Sequence, residues 1–143
     1  MYRWRTNTPF GVPRAAGEDT FFGDYFIPKG TTVMPNLWAV HMTPELWKNP
    51  EEFDPSRFLK SDGSLVSKPE YLIPFTIGKR MCPGENMGTV EVFLYVTALL
   101  QKFNVLPEEG RIISLATHPT ASNVLPEQKL RFVSRNPGNK GFS

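Results

Sequence analysis

At 143 residues, with 40% apolar and 13% aromatic side chains, the chain is long enough for one globular domain and too apolar for a disordered one. Sixteen Lys and Arg against 14 Asp and Glu leave a formal charge of +2, too mild and too dispersed for a nucleic-acid binder, so no nucleic-acid partner is expected. One cysteine, Cys82, beside two histidines, His41 and His118, excludes an internal disulfide framework and makes a cysteine-rich zinc site a poor candidate.

Residues 1–5 read as the last turn of a helix, because Pro9 and Pro13 forbid its continuation. This N-terminus lacks the apolar core of a secretory signal. The densest apolar stretch, residues 90–100, is too short to span a membrane and carries Glu91, so no anchor is expected within the chain. Eleven glycines and 14 prolines predict much irregular backbone. Residues 21–26 and 31–38, rich in aromatic and β-branched side chains, read as a hairpin around Pro28-Lys29-Gly30. Thr43-Pro44 has a capping residue followed by proline at a first helical position, which predicts a short helix before Pro50. From residue 50 to 74 proline, charge and isolated aromatics follow no period, and a long, irregular, packed meander is expected.

Residues 85–102 read as a helix with Glu85 early and Lys102 late, matching the dipole. Apolar side chains cover nearly all its circumference, so it is expected to be buried rather than amphipathic. Two short strands, 111–115 and 129–133, are expected beyond Gly110, as a terminal β hairpin, and residues after Pro137 as a frayed tail.

The chemistry is carried by residues 74–85, a glycine-punctuated loop that delivers Cys82 to the start of the long helix. A thiolate is favoured at a helix N-terminus, and a metal deprotonates it outright. Gly78 and Gly84 remove side chains where backbone approaches a flat ligand or turns with positive φ. Arg80 can offer charge-assisted hydrogen bonds to a carboxylate. These features alone leave two readings open: a metal-ligating thiolate, or a buried free cysteine in a glycine-rich turn with Arg80 on the surface.

Phe75-x-x-Gly78-x-Arg80-x-Cys82-x-Gly84 resembles the cysteine-loop signature of the cytochrome P450 haem-thiolate monooxygenases at all five defining positions. Residues 50–58, Pro-Glu-Glu-Phe-Asp-Pro-Ser-Arg-Phe, resemble the family's meander segment, and Tyr25-x-Ile27-Pro28-Lys29-Gly30-Thr31 is similar to its hairpin. The resemblance runs from about Arg3 to Phe132 and is closest to the microsomal xenobiotic and steroid branch.

It implies that residues 1–143 are the C-terminal, haem-binding portion of a single domain. The fold would be mainly α with a small β region: hairpin, meander, cysteine loop, long buried helix and terminal hairpin. Cys82 would be the axial ligand of a haem iron and the catalytic residue, Arg80 and Arg14 the propionate partners, and Phe75 the ring beside the sulfur. Phe10, Val12 and Val124 would line a cavity for an apolar substrate, within two loops, 8–12 and 119–124. Lys79 would lie on the face that receives electrons from a reductase. The parent protein would act at the cytosolic face of the endoplasmic reticulum membrane, inserting one oxygen atom of dioxygen into its substrate.

Arg3 matches the Arg of the family's Glu-x-x-Arg pair, whose Glu would precede Met1, and Arg3 and Arg57 are then expected to lack their carboxylate. The helix that delivers protons to dioxygen is not among these residues. Thr43 stands where Asp is common, and Gly88-Thr89 where Ala-Arg is common. Two alternatives follow: an inactive truncated haem-binding fragment, or a haem-thiolate isomerase or dehydratase.

Overall fold

The structure, a computed structural model, describes residues 2–116, 118, 119 and 122–135. It divides into two compact units, one of residues 1–81 with 119–124 and one of residues 82–118 with 125–143.

In the first unit, β1 (Arg14–Ala15) pairs antiparallel with β4 (Thr32–Val33), and β2 (Thr20–Phe22) with β3 (Tyr25–Ile27). The tight hairpin therefore turns at Gly23-Asp24, with Gly23 at φ +58°, and not at Pro28-Lys29-Gly30 as the sequence suggests. A two-residue loop with glycine at positive φ in its first position matches the twist of flanking strands better than a longer loop. The Phe21 and Phe26 rings pair across this hairpin at 5.3 Å. Pro28-Lys29-Gly30 is still a turn, closed by Thr31 N–H onto the Pro28 carbonyl at 3.1 Å, but it joins β3 to β4, which do not pair with each other.

The short helix also lies earlier than expected. α1 spans Leu37–Met42, capped by the Asn36 side chain, which accepts the Ala39 N–H at 3.0 Å. Pro44 forces Thr43 into extended geometry (φ −72°, ψ 130°), so Thr43 ends a helix rather than starting one. The two N–H groups of Leu46 and Trp47 then turn back onto the Thr43 carbonyl.

The core of this unit joins Leu37, Met42 and Trp47 to three buried polar residues, Arg3, Thr6 and His41. Arg3 is 3% exposed. It donates to the carbonyls of His41 (2.8 Å), Pro50 (2.9 Å) and Glu52 (3.4 Å), and its guanidinium lies 5.0 Å from the Trp47 ring centre. Arg57 donates to the Asp54, Lys48 and Glu52 carbonyls and pairs with Asp54 at 3.8 Å. Main-chain carbonyls thus take up most of the hydrogen-bonding capacity of both guanidiniums, and the expectation that neither has a carboxylate fails at Arg57, which has Asp54 beside it. Within that meander Pro55–Phe58 forms a 3-10 turn, its start capped by Asp54. Hydrogen bonds from the Ser56 hydroxyl and N–H hold the Asp54 carboxyl below its ordinary range.

In the second unit, α2 spans Glu85–Lys102, as its sequence predicts, and leads into β5 (Phe103–Pro107). β5 pairs antiparallel with β8 (Leu130–Ser134), with the Phe103 and Phe132 rings edge to face at 5.8 Å. The other short strands are β6 (His118–Pro119) and β7 (Asn123–Val124), the latter in the first unit. The first strand of the terminal hairpin therefore lies at residues 103–107 instead of 111–115. At Ser114 a side chain substitutes for a strand partner: the Gln128 amide accepts its N–H at 2.7 Å and donates to its carbonyl at 2.8 Å.

The expectation of a buried α2 does not hold. None of its residues is buried, and Phe93 and Tyr95 are 64% and 70% exposed. A helix apolar all round needs layers on several sides, and the described residues of its unit supply only the short β5–β8 pair. Nor is the described fold as α-rich as expected, with two α-helices beside eight short strands. The frayed tail expected after Pro137 falls outside the described residues.

Candidate functional site

In the first unit the cysteine loop is preceded by Ile73, whose N–H donates to His41 Nε2 at 3.1 Å and whose carbonyl accepts the Thr76 N–H at 3.0 Å. Thr76 has φ +64°, a left-handed conformation that a β-branched residue adopts only under constraint, and its buried hydroxyl has no hydrogen-bond partner. Gly78, at φ +78°, opens a 3-10 turn over Gly78–Arg80 that Met81 N–H closes onto the Gly78 carbonyl.

Phe75 packs its ring on Tyr2 at 5.3 Å. Arg14 Nη2 donates to the Arg80 carbonyl at 2.9 Å, so both expected propionate partners come together in this unit. The Arg80 side chain is exposed, as is Lys79.

The second unit opens with Cys82, an exposed free thiol three residues before the first residue of α2. The Cys82 carbonyl accepts the Glu85 N–H at 3.4 Å, and Gly84 caps the helix without a side chain. A Cβ at Gly84 would stand 3.8 Å from Cys82 Sγ, in ordinary contact, whereas a Cβ at Gly78 would meet nothing. Gly78 is therefore required by backbone conformation, whereas a side chain at Gly84 would touch the sulfur without displacing it.

The donor set fits haem iron. Among the described residues no group of three or more His, Cys, Asp and Glu side chains could hold a metal ion. A single soft thiol would suit an iron whose remaining ligands come mainly from a porphyrin. Two arginines at the loop suit the carboxylates such a ring carries.

In the first unit the second expected substrate loop, 119–124, is tied to the residues just ahead of the first, 8–12. Asn123 N–H donates to the Asn7 carbonyl at 2.8 Å, and its side chain to the Thr6 carbonyl at 2.6 Å. Phe10, Val12 and Val124 are all substantially exposed there, while residues 120 and 121 of the second loop lie outside the described residues. A recess of about 60 Å³ lined by Arg3, Trp4, Phe53, Asp54, Pro55 and Phe58 is too small for a cofactor.

Sequence reasoning missed two residues, Thr76 and His41. The first was a non-defining position of the loop signature. The second entered only beside His118, as part of a poor candidate for a cysteine-rich zinc site.

No helix among the described residues is long and apolar enough to cross a membrane. The family model described as "Cytochrome P450" matches residues 1–133. The chain is 45% identical over 120 residues to "Cytochrome P450 2U1" of Homo sapiens, covering 78% of this chain and 22% of that protein. It is 42% identical over 139 residues to "Cytochrome P450 2C23" of Rattus norvegicus, with 94% and 28% coverage. To "Steroid 17-alpha-hydroxylase/17,20 lyase" of Squalus acanthias it is 48% identical over 104 residues, with 72% and 20% coverage. The chain thus spans about a fifth to a quarter of the length of these curated relatives.

Proposed function

The chain belongs to the cytochrome P450 family, of the xenobiotic- and steroid-type branch, and on that premise we propose that it is the haem-binding portion of a haem-thiolate monooxygenase with Cys82 as the axial ligand. The observation that carries this reading is the exposed free thiol of Cys82 just ahead of α2, at the end of the cysteine loop. Haem so ligated supplies the activation of dioxygen, with one oxygen atom entering an apolar organic substrate and the other leaving as water as two electrons and two protons are taken up.

The chain's own residues bind and orient. Cys82 donates electron density to the metal. Arg80 and Arg14 hold the propionates, Phe75 shields the sulfur side of the ring from water, and Gly78 and Gly84 keep the backbone close. Phe10, Val12 and Val124 face the apolar substrate. Lys79, exposed on the cysteine loop, meets an acidic reductase that supplies the electrons. The whole protein works at the cytosolic face of the endoplasmic reticulum membrane.

A second reading is favoured by the uncovered apolar sides of α2: by itself, this chain holds haem without turning over substrate. The carbon monoxide difference spectrum of the reduced, haem-reconstituted chain tests both. A red-shifted thiolate band that disappears in Cys82→Ala supports Cys82 as ligand. A thiolate band retained by Cys82→Ala sinks the assignment. Haem bound without that band leaves the inactive-fragment reading.

A further inference from the structure

His41 lies outside every motif of the cysteine loop, yet among the described residues it is the one side chain buried completely, at 0% exposure. An imidazole in a core is costly unless both nitrogens are partnered. Nε2 stands 3.1 Å from Ile73 N and Nδ1 2.8 Å from Thr6 Oγ1. A main-chain N–H only donates, so Nε2 accepts and the ring proton sits on Nδ1. Nδ1–H then donates to the Thr6 hydroxyl, which in turn donates to the Arg3 carbonyl at 3.3 Å. Three hydrogen bonds therefore run in one direction from Ile73 to the N-terminal turn, and they fix the tautomer.

Ile73 is the residue from which the cysteine loop departs. Its carbonyl closes the turn at Thr76, the residue with φ +64° and an unpartnered buried hydroxyl. Such a conformation persists only where its surroundings over-determine it. The His41 ring meets the backbone at the base of this turn by a hydrogen bond from Ile73 N–H.

We infer that His41 is a positioning residue of the cysteine loop: its Nε2 lone pair, aimed by the Thr6 hydroxyl, holds Ile73 and with it the strained turn from which Phe75 and Arg80 are presented. The consequence for haem rests on the reading of Cys82 as ligand; the positioning of residues 73–81 does not.

The haem-free chain provides the first test. Ring nitrogen NMR at neutral pH is expected to find His41 neutral with the proton on Nδ1, and a proton on Nε2 overturns the inference without any variant. Amide hydrogen exchange follows. His41→Leu is expected to speed exchange at Ile73, Thr76 and Met81 about tenfold while amides within α2 stay unchanged. His41→Gln, whose amide oxygen can accept the same N–H, restores most of the protection. Equal acceleration along the whole chain, or Gln no better than Leu, overturns it.

In the haem-loaded chain the thiolate fraction of the carbon monoxide spectrum should fall in His41→Leu and recover in His41→Gln. A chain with the expected exchange pattern but no thiolate band in any form supports the positioning role and sinks the ligand reading, so the two failures are distinct.

Discussion

Arg14 Nη2 donates to the main-chain carbonyl of Arg80 at 2.9 Å, tying strand β1 to the last turn of the cysteine loop. The bond is exposed, so its worth to folding is small, under about 1 kcal/mol. Its worth to a bound carboxylate is larger, because it sets two guanidinium-bearing residues side by side. Arg14→Met is therefore expected to leave the urea midpoint nearly unchanged and to weaken haem binding about tenfold. Arg80→Met should lose at least as much haem affinity with no loss of stability, since the carbonyl that Arg14 uses remains. Haem titration beside urea unfolding reads both, and equal affinities in all three proteins would remove the arginines from the site.

Arg3 is held differently, among three carbonyls and the Trp47 ring in the core. Burial and the Arg57 charge lower its pKa, against a smaller opposing contribution from Glu51. Arg3→Met leaves the His41, Pro50 and Glu52 carbonyls to be satisfied by other means, and a loss of about 3 kcal/mol is expected from urea unfolding. Arg3→Lys, with a point charge instead of a fork, should recover less than half.

The two loop glycines separate in the same experiment. Gly78 has φ +78°, with open space around the missing Cβ, so Gly78→Ala should cost about 1 kcal/mol through backbone conformation alone. Gly84 has φ −91° and sits at the cap of α2, so Gly84→Ala should cost only some tenths of a kcal/mol. Haem binding is expected to reverse this order, because the Gly84 Cβ would stand beside Cys82 Sγ.

What was legible in the sequence was what depends on neighbours in the chain. α2 has its expected bounds because charge, apolar run and glycine cap all lie within it, and Gly78 announces its own positive φ. The hairpin slipped because Gly23-Asp24 sits inside an aromatic run that looks like continuous strand. The helix 43–47 was misplaced because Thr43-Pro44 ends a helix as readily as it starts one. β5 was hidden because Phe103–Pro107 follows α2 without a break and owes its strand character to Leu130–Ser134, nearly thirty residues on. The loop's own geometry, with Gly78 at positive φ and Cys82 just ahead of α2, was local and readable. Its support was not: Arg14 reaches Arg80 across 66 positions and His41 reaches Ile73 across 32.

His41 also gives the protein a definite response to acid. Burial, with the Arg3 charge beside it, lowers its pKa from 6.5 to about 4 in the folded chain. On lowering the pH the unfolded chain takes up this proton first, so stability falls between pH 6.5 and about 4 and this contribution levels off below that. The full difference amounts to about 3 kcal/mol. Asp54 and Asp62 act lower: hydrogen bonds from Ser56 and Ser64 depress their pKa values below 3.8, so what they contribute is lost only as the pH falls through that range. The windows do not overlap much, and His41→Gln should flatten the stability profile above pH 4 while leaving the steeper acid limb in place. Urea midpoints measured from pH 3 to 7 on both chains decide it, and a His41→Gln profile as steep as the parent's between pH 4 and 6.5 would mean that the buried ring is not what titrates.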